Sequence, residues 1–111
     1  MGRWAQSRRR QSAPPANAAA GPPPAPTLGQ EGASLVQRAQ GGDDTGGRIE
    51  LQQSLVLPYE WEDNTDDAWT PVKVWGNTDT LGLHYYRCRE RGNDLNYVGY
   101  SEWSNVALLS L

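Results

Sequence analysis

The sequence predicts an all-β fold, a small antiparallel β-sandwich behind a disordered N-terminal arm, with the arm over residues 1–46 and the sandwich over 47–111. Three observations carry that expectation. From Gly46-Gly47 onward apolar and polar residues alternate with period two, the repeat of a strand whose successive side chains face opposite ways. Trp, Tyr, Val, Ile and Thr are concentrated in the same part of the chain, between clusters of turn formers. Before Gly47 both signals fade, and Ala, Pro, Gly, Gln and Arg dominate.

The arm has too little apolar surface to offset the entropy of ordering its backbone. Pro14-Pro15 and Pro22-Pro23-Pro24 with Pro26 favour polyproline II, so the segment reads as a semi-extended linker. Arg8-Arg9-Arg10 reads as a solvated charge cluster rather than a phosphate contact or localisation signal, and the PxxP spacing at Pro22 to Pro26 as linker rather than groove ligand. Around Leu35-Val36, glycines at 29, 32, 41 and 42 flank a stretch too short for a stable helix, so at most a frayed turn is expected.

Arg48 to Gln53 alternates polar and apolar, placing Ile49 and Leu51 on one face of a strand. Pro58 punctuates, and Tyr59-Glu60-Trp61-Glu62 alternates again. Asp63-Asn64-Thr65-Asp66-Asp67 then reads as a turn, making a hairpin with Trp69 to Trp75, in which Pro71 marks an edge or bend. Gly76-Asn77-Thr78-Asp79 is the next turn. Leu83 to Glu90 is a strand with unlike faces, His84, Tyr86 and Cys88 on one and Tyr85, Arg87 and Arg89 on the other. After a loop at Gly92 to Asn96, Val98 to Val106 is the returning strand.

The order YEWE, a polar turn, AWTPVKV, TDT, YYRCRE and GYSEWSNVA resembles strands C to G of a fibronectin type III domain, an immunoglobulin-like sandwich. The resemblance rests on Tyr85 to Arg89 and Gly99 to Asn105 and covers roughly half of the chain; Cys88 stands where that family usually has Val. It implies a non-catalytic binding or spacer module, contacting another protein or a carbohydrate or positioning neighbouring domains, in an extracellular or cell-surface setting, although no export signal is seen. The sequence departs from the family in lacking a tryptophan between Trp4 and Trp61, in placing His84 where the corner tyrosine falls, and in putting Glu90 at a usually apolar site. Trp61 and Trp69 are expected to refill the core. A folded part of about 60 to 65 residues buries only about 60% of its unfolded surface, so an incomplete first sheet makes the domain marginal or truncated. A fragment or poorly folded reading frame is accordingly the alternative. Tyr100-Ser101-Glu102-Trp103-Ser104 also resembles the Trp-Ser-x-Trp-Ser box of class I cytokine receptors, a family that normally adds a paired-cysteine domain and a membrane segment.

Site chemistry narrows the reading further. Tyr85, Arg87, Arg89, Tyr100 and Trp103 are the candidate residues, either a surface ladder of guanidinium and aromatic planes that stiffens the last strands or a contact patch. No catalytic, cofactor or metal site is expected. His84 and Cys88 lie about 13 Å apart along a strand, too far for a nucleophile and its base. Asp63, Asp66 and Asp67 lack the spacing of a calcium loop. With Cys88 the sole cysteine no intrachain disulfide forms, and the net charge of −3 gives no reason to expect nucleic acid. No apolar run nears the roughly 18 residues of a membrane span, so membrane insertion is not expected.

Overall fold

The computed structural model describes residues 21–40, 46–77, 81 and 84–109. Arg8-Arg9-Arg10, Pro14-Pro15, the Thr78-Asp79 part of the turn and Leu83 lie outside them. The described chain forms seven strands: β1 (Thr27–Glu31), β2 (Ser34–Arg38), β3 (Gly46–Ser54), β4 (Glu62–Ala68), β5 (Val72–Asn77), β6 (Tyr85–Gly92) and β7 (Ala107–Leu108). They make two antiparallel sheets, β1-β2-β5 and β4-β3-β6-β7, packed as a small β-sandwich.

The core is where the alternation puts it. Ile49 and Leu51 of β3 sit opposite Glu90 and Cys88 of β6, all buried, and Tyr86 joins them. Leu28 and Leu35 close the cluster from the other sheet, with Ala107 and Leu109 at the chain's end, and Trp75 packs against it. The outward residues of β6 are Tyr85, Arg87 and Arg89, half-buried.

Three expectations are corrected. The first sheet is not missing: β1 and β2 come from the stretch read as arm, and the turn expected at Leu35-Val36 is a strand buried on both faces. Its burial was hidden because the inward pair is Leu35 and Gln37, an apolar residue beside a polar one, and Gln37 is accommodated by accepting the Trp75 indole N–H at 2.9 Å. Asn105 fastens the hairpin to the opposite sheet: its amide accepts the Leu28 N–H (3.0 Å) and donates to the Leu28 carbonyl (2.7 Å). Pro23 and Pro26 are buried, and the Val98 N–H donates to the Gly21 carbonyl, so the proline segment from residue 21 packs on the sandwich instead of hanging free as a linker or groove ligand.

Second, the acidic run is a strand. All of β4 is exposed, and it pairs along β3 at the sheet's edge. A strand that buries nothing carries no apolar period, and its charges keep the free edge from pairing with another chain. Third, the strand that follows, β5, pairs with β2 in the other sheet rather than returning along Tyr59 to Glu62.

The corner also differs from expectation. His84 precedes β6, and it is the hydroxyl of fully buried Tyr86 that donates to the Leu81 carbonyl five residues upstream, tying down the turn that leads into β6.

Candidate arginine and aromatic ladder

The segment after β6 positions the ladder. Only Ala107–Leu108 and a bridge between Arg91 and Tyr100 are regular pairing there. In between, serines take over: the Glu90 N–H donates to Ser101 Oγ (2.9 Å) while the Ser101 N–H donates to the Glu90 carbonyl (2.8 Å). Ser104 repeats this at Cys88, with distances of 2.9 and 2.8 Å. Three residues thus span what two cover on β6, and the extra length carries Tyr100 and Trp103 over the sheet's outer face. The expected continuous strand over Val98 to Val106 is therefore a hydroxyl-bridged ribbon.

On that face the planes interleave. The Arg87 guanidinium lies 4.5 Å from the Trp61 ring centre and 4.1 Å from that of Trp103. Arg89 lies 4.4 Å from Trp103 and 3.9 Å from Tyr100. The series is Trp61, Arg87, Trp103, Arg89, Tyr100. Tyr59 extends it, 4.9 Å from Trp61 and edge-on to Tyr85 at 5.2 Å. Of the five candidate residues, Arg87, Arg89, Tyr100 and Trp103 are interleaved, and Tyr85 joins through Tyr59.

Cross-strand partners hold the guanidinium planes edge-on. Arg87 donates through Nε and Nη2 to Gln52 Oε1, at 3.0 and 2.8 Å, and Arg89 Nε donates to Glu50 at 3.0 Å. These are the residues opposite each arginine on β3. Burial and the neighbouring Arg89 charge both lower the pKa of Arg87, and its high ordinary value still keeps the guanidinium charged at any ordinary pH.

Trp61, expected in the core, is a ladder rung. It lies just ahead of β4, on the outer face where Arg87 meets it. Trp69 does reach the core side, where its indole donates to the Glu90 carboxyl group at 3.1 Å and so eases the burial of that polar group.

The remaining groups are occupied or shielded. Burial pushes the Cys88 thiol up to about 12, a thiol and not a thiolate at neutral pH. Asp66 is paired with Arg48 and Asp67 with Lys73, whose hydrogen bond, with that of the Ala68 N–H, holds the Asp67 carboxyl below its usual range. Among the described residues no His, Cys, Asp and Glu cluster is arranged to hold a metal. The loop after β6 is fixed in shape: Asn93 Oδ1 accepts the N–H groups of Leu95 and Asn96, and a Cβ on Gly92 would sit 2.2 Å from the Tyr97 carbonyl oxygen. Beside the ladder the outer face dips into an open hollow of about 490 Å³ walled by Tyr100, Arg89, Glu50, Asp63, Asn64 and Asp66.

No known protein family, curated protein or solved structure matches this chain.

Proposed function

We propose that the chain is a non-catalytic binding or spacer module of fibronectin type III type, making protein or carbohydrate contacts or setting the position of neighbouring domains. Support comes from how the strands are shared. The first, second and fifth lie in one sheet and the third, sixth and seventh in the other, the division found in immunoglobulin-type sandwiches, with the fourth strand added beside the third. The observation that carries the binding side of the reading is the stiffened outer face of β4-β3-β6-β7. There an aromatic wall, Tyr100, borders a hollow rimmed by carboxylates and an amide, groups that suit the apolar faces and hydroxyls of a sugar or a polar protein loop. The deeply buried, protonated Cys88 thiol speaks against Cys88 as a nucleophile.

One observation favours a narrower second reading, a module of the class I cytokine receptor kind. Tyr100 and Trp103, the aromatic positions of the box-like Tyr-Ser-Glu-Trp-Ser, stack on arginines of the neighbouring strand, while its two serines bond that strand's backbone.

The test is a screen of the immobilised full chain against a glycan array and a panel of extracellular proteins, beside Tyr100→Ala and a Leu95→Asp loop variant. A saturable ligand lost in either variant supports a binding module. Absence of any ligand leaves the spacer role, which then requires a cooperative melt; a non-cooperative chain refutes both.

A further inference from the structure

The end of the sandwich opposite the Gly92 loop carries an unusual run. Leu55, Val56 and Leu57, between β3 and the cis Pro58, are 51%, 44% and 62% exposed in succession, and Tyr59 is 44% exposed. Leu108 of β7, cross-strand partner of Tyr85, adds a side chain of a residue 56% exposed, and Tyr85 in turn meets Tyr59. Register places Ser54 and Leu108 on either side of Tyr85, which brings the five residues to the same end of the sandwich.

This loop is held in shape. Ser54, fully buried, donates through Oγ to the Val56 carbonyl (2.8 Å) and accepts the N–H groups of Glu60 (2.9 Å) and Val56 (3.4 Å). Tyr59 is braced between Trp61 and Tyr85. The chain therefore presents its leucines outward on a fixed turn, and a partner pays little ordering entropy to meet them. Leu55, Val56, Leu57 and Leu108 take no part in the core cluster, so the core does not require them to be apolar.

We propose that this apolar end is a self-association surface whose occupant is the same end of a second copy, related by a two-fold axis. Area supports that occupant. The patch exposes on the order of 500 Å², at the upper end for an ordinary monomer. Two copies face to face bury at most about 1,000 Å², the least that a specific interface needs. The same residues serve both sides, as a two-fold contact demands. Glu60 and Glu62 border the patch with no basic residue between 55 and 62, which disfavours an anionic lipid surface. Across the two-fold axis these carboxylates repel weakly, so added salt tightens the dimer by screening them while apolar burial persists. The inference is independent of the family reading above.

The experiment is sedimentation velocity of the full chain from low to hundreds of micromolar, at low and high salt, with Leu57→Asp, Leu108→Glu and Leu95→Asp variants. A reversible dimer that tightens with salt is expected. Leu57→Asp and Leu108→Glu each weaken it about tenfold or more, because a charge enters the interface twice per dimer. Leu95→Asp, at the far end and 70% exposed, leaves it unchanged. Near-ultraviolet circular dichroism verifies that each variant keeps its fold, and Leu108→Glu serves if Leu57→Asp does not. A chain that stays monomeric throughout overturns the proposal, as does equal weakening by Leu95→Asp. A monomer that sediments with phosphatidylcholine vesicles also overturns it, in favour of a lipid surface.

Discussion

Replacing Trp103 by Leu removes the centre of the ladder while keeping apolar bulk over the sheet. Trp103 is stacked on both sides, 4.1 Å from Arg87 and 4.4 Å from Arg89, so two guanidinium contacts vanish together. Each contributes about 0.5 to 1 kcal/mol at a partly exposed site, giving a loss of about 1 to 2 kcal/mol. In a domain of this size each kcal/mol moves the midpoint by about 4–8 °C, so Tm falls by about 4 to 16 °C. Calorimetry reads that shift directly, and a double-mutant cycle with Arg87→Met isolates one contact, with an expected coupling of about 0.5 to 1 kcal/mol. Gln52 and Glu50 still hold the arginines in the Trp103→Leu variant, so the cycle reports stacking rather than collapse of the face. A Tm unchanged within error together with zero coupling refutes the claim that the ladder stiffens the last strands.

Further outcomes follow from the same contacts. Leu51→Ala, in the core at 1% exposure, costs about 2–5 kcal/mol, seen as a large drop in denaturant midpoint or loss of the transition. Tyr86→Phe deletes the corner hydrogen bond to Leu81 and destabilises by about 0.5–1.5 kcal/mol in the same titration. Cys88 gives a pH signature: the unfolded thiol ionises near 9.0 and the folded one near about 12, so the folded state binds the extra proton between them. Stability on this account is fully present below pH 9 and falls as pH rises towards 12, and chemical denaturation of Cys88→Val shows that part of the slope removed. Replacing Asp66 and Asp67 with Val uncovers the β4 edge and promotes aggregation, followed by light scattering.

How much of this was legible depended on whether a strand buries one face. β3 and β6 do, and their alternation gave the core pair Ile49 and Leu51 and the unlike faces of β6, hence the arginines and aromatics of the ladder. β4 buries nothing, so five of its seven exposed residues, Asp63 to Asp67, read as a turn. β1 buries only Leu28, and β2 mixes Leu35 and Val36 with buried Gln37, so neither shows a period in a stretch crowded with glycine and proline. Those failures compound: with the first sheet unseen, Trp61 was assigned to a gap in the core that β1 and β2 fill. The serine bridges of residues 101 and 104 escaped because side chains there do the pairing that backbone periodicity tracks.

The sandwich depends most directly on the two strands, β1 and β2, that precede residue 46. Near-ultraviolet circular dichroism melts of the full chain and of Leu35→Asp, a residue with no exposure, test it. A cooperative transition with fixed aromatic signals in the parent, lost or severely lowered in Leu35→Asp, is the predicted result. Superimposable melts contradict it, because they show that the rest of the sandwich holds its fold without a packed β1 and β2.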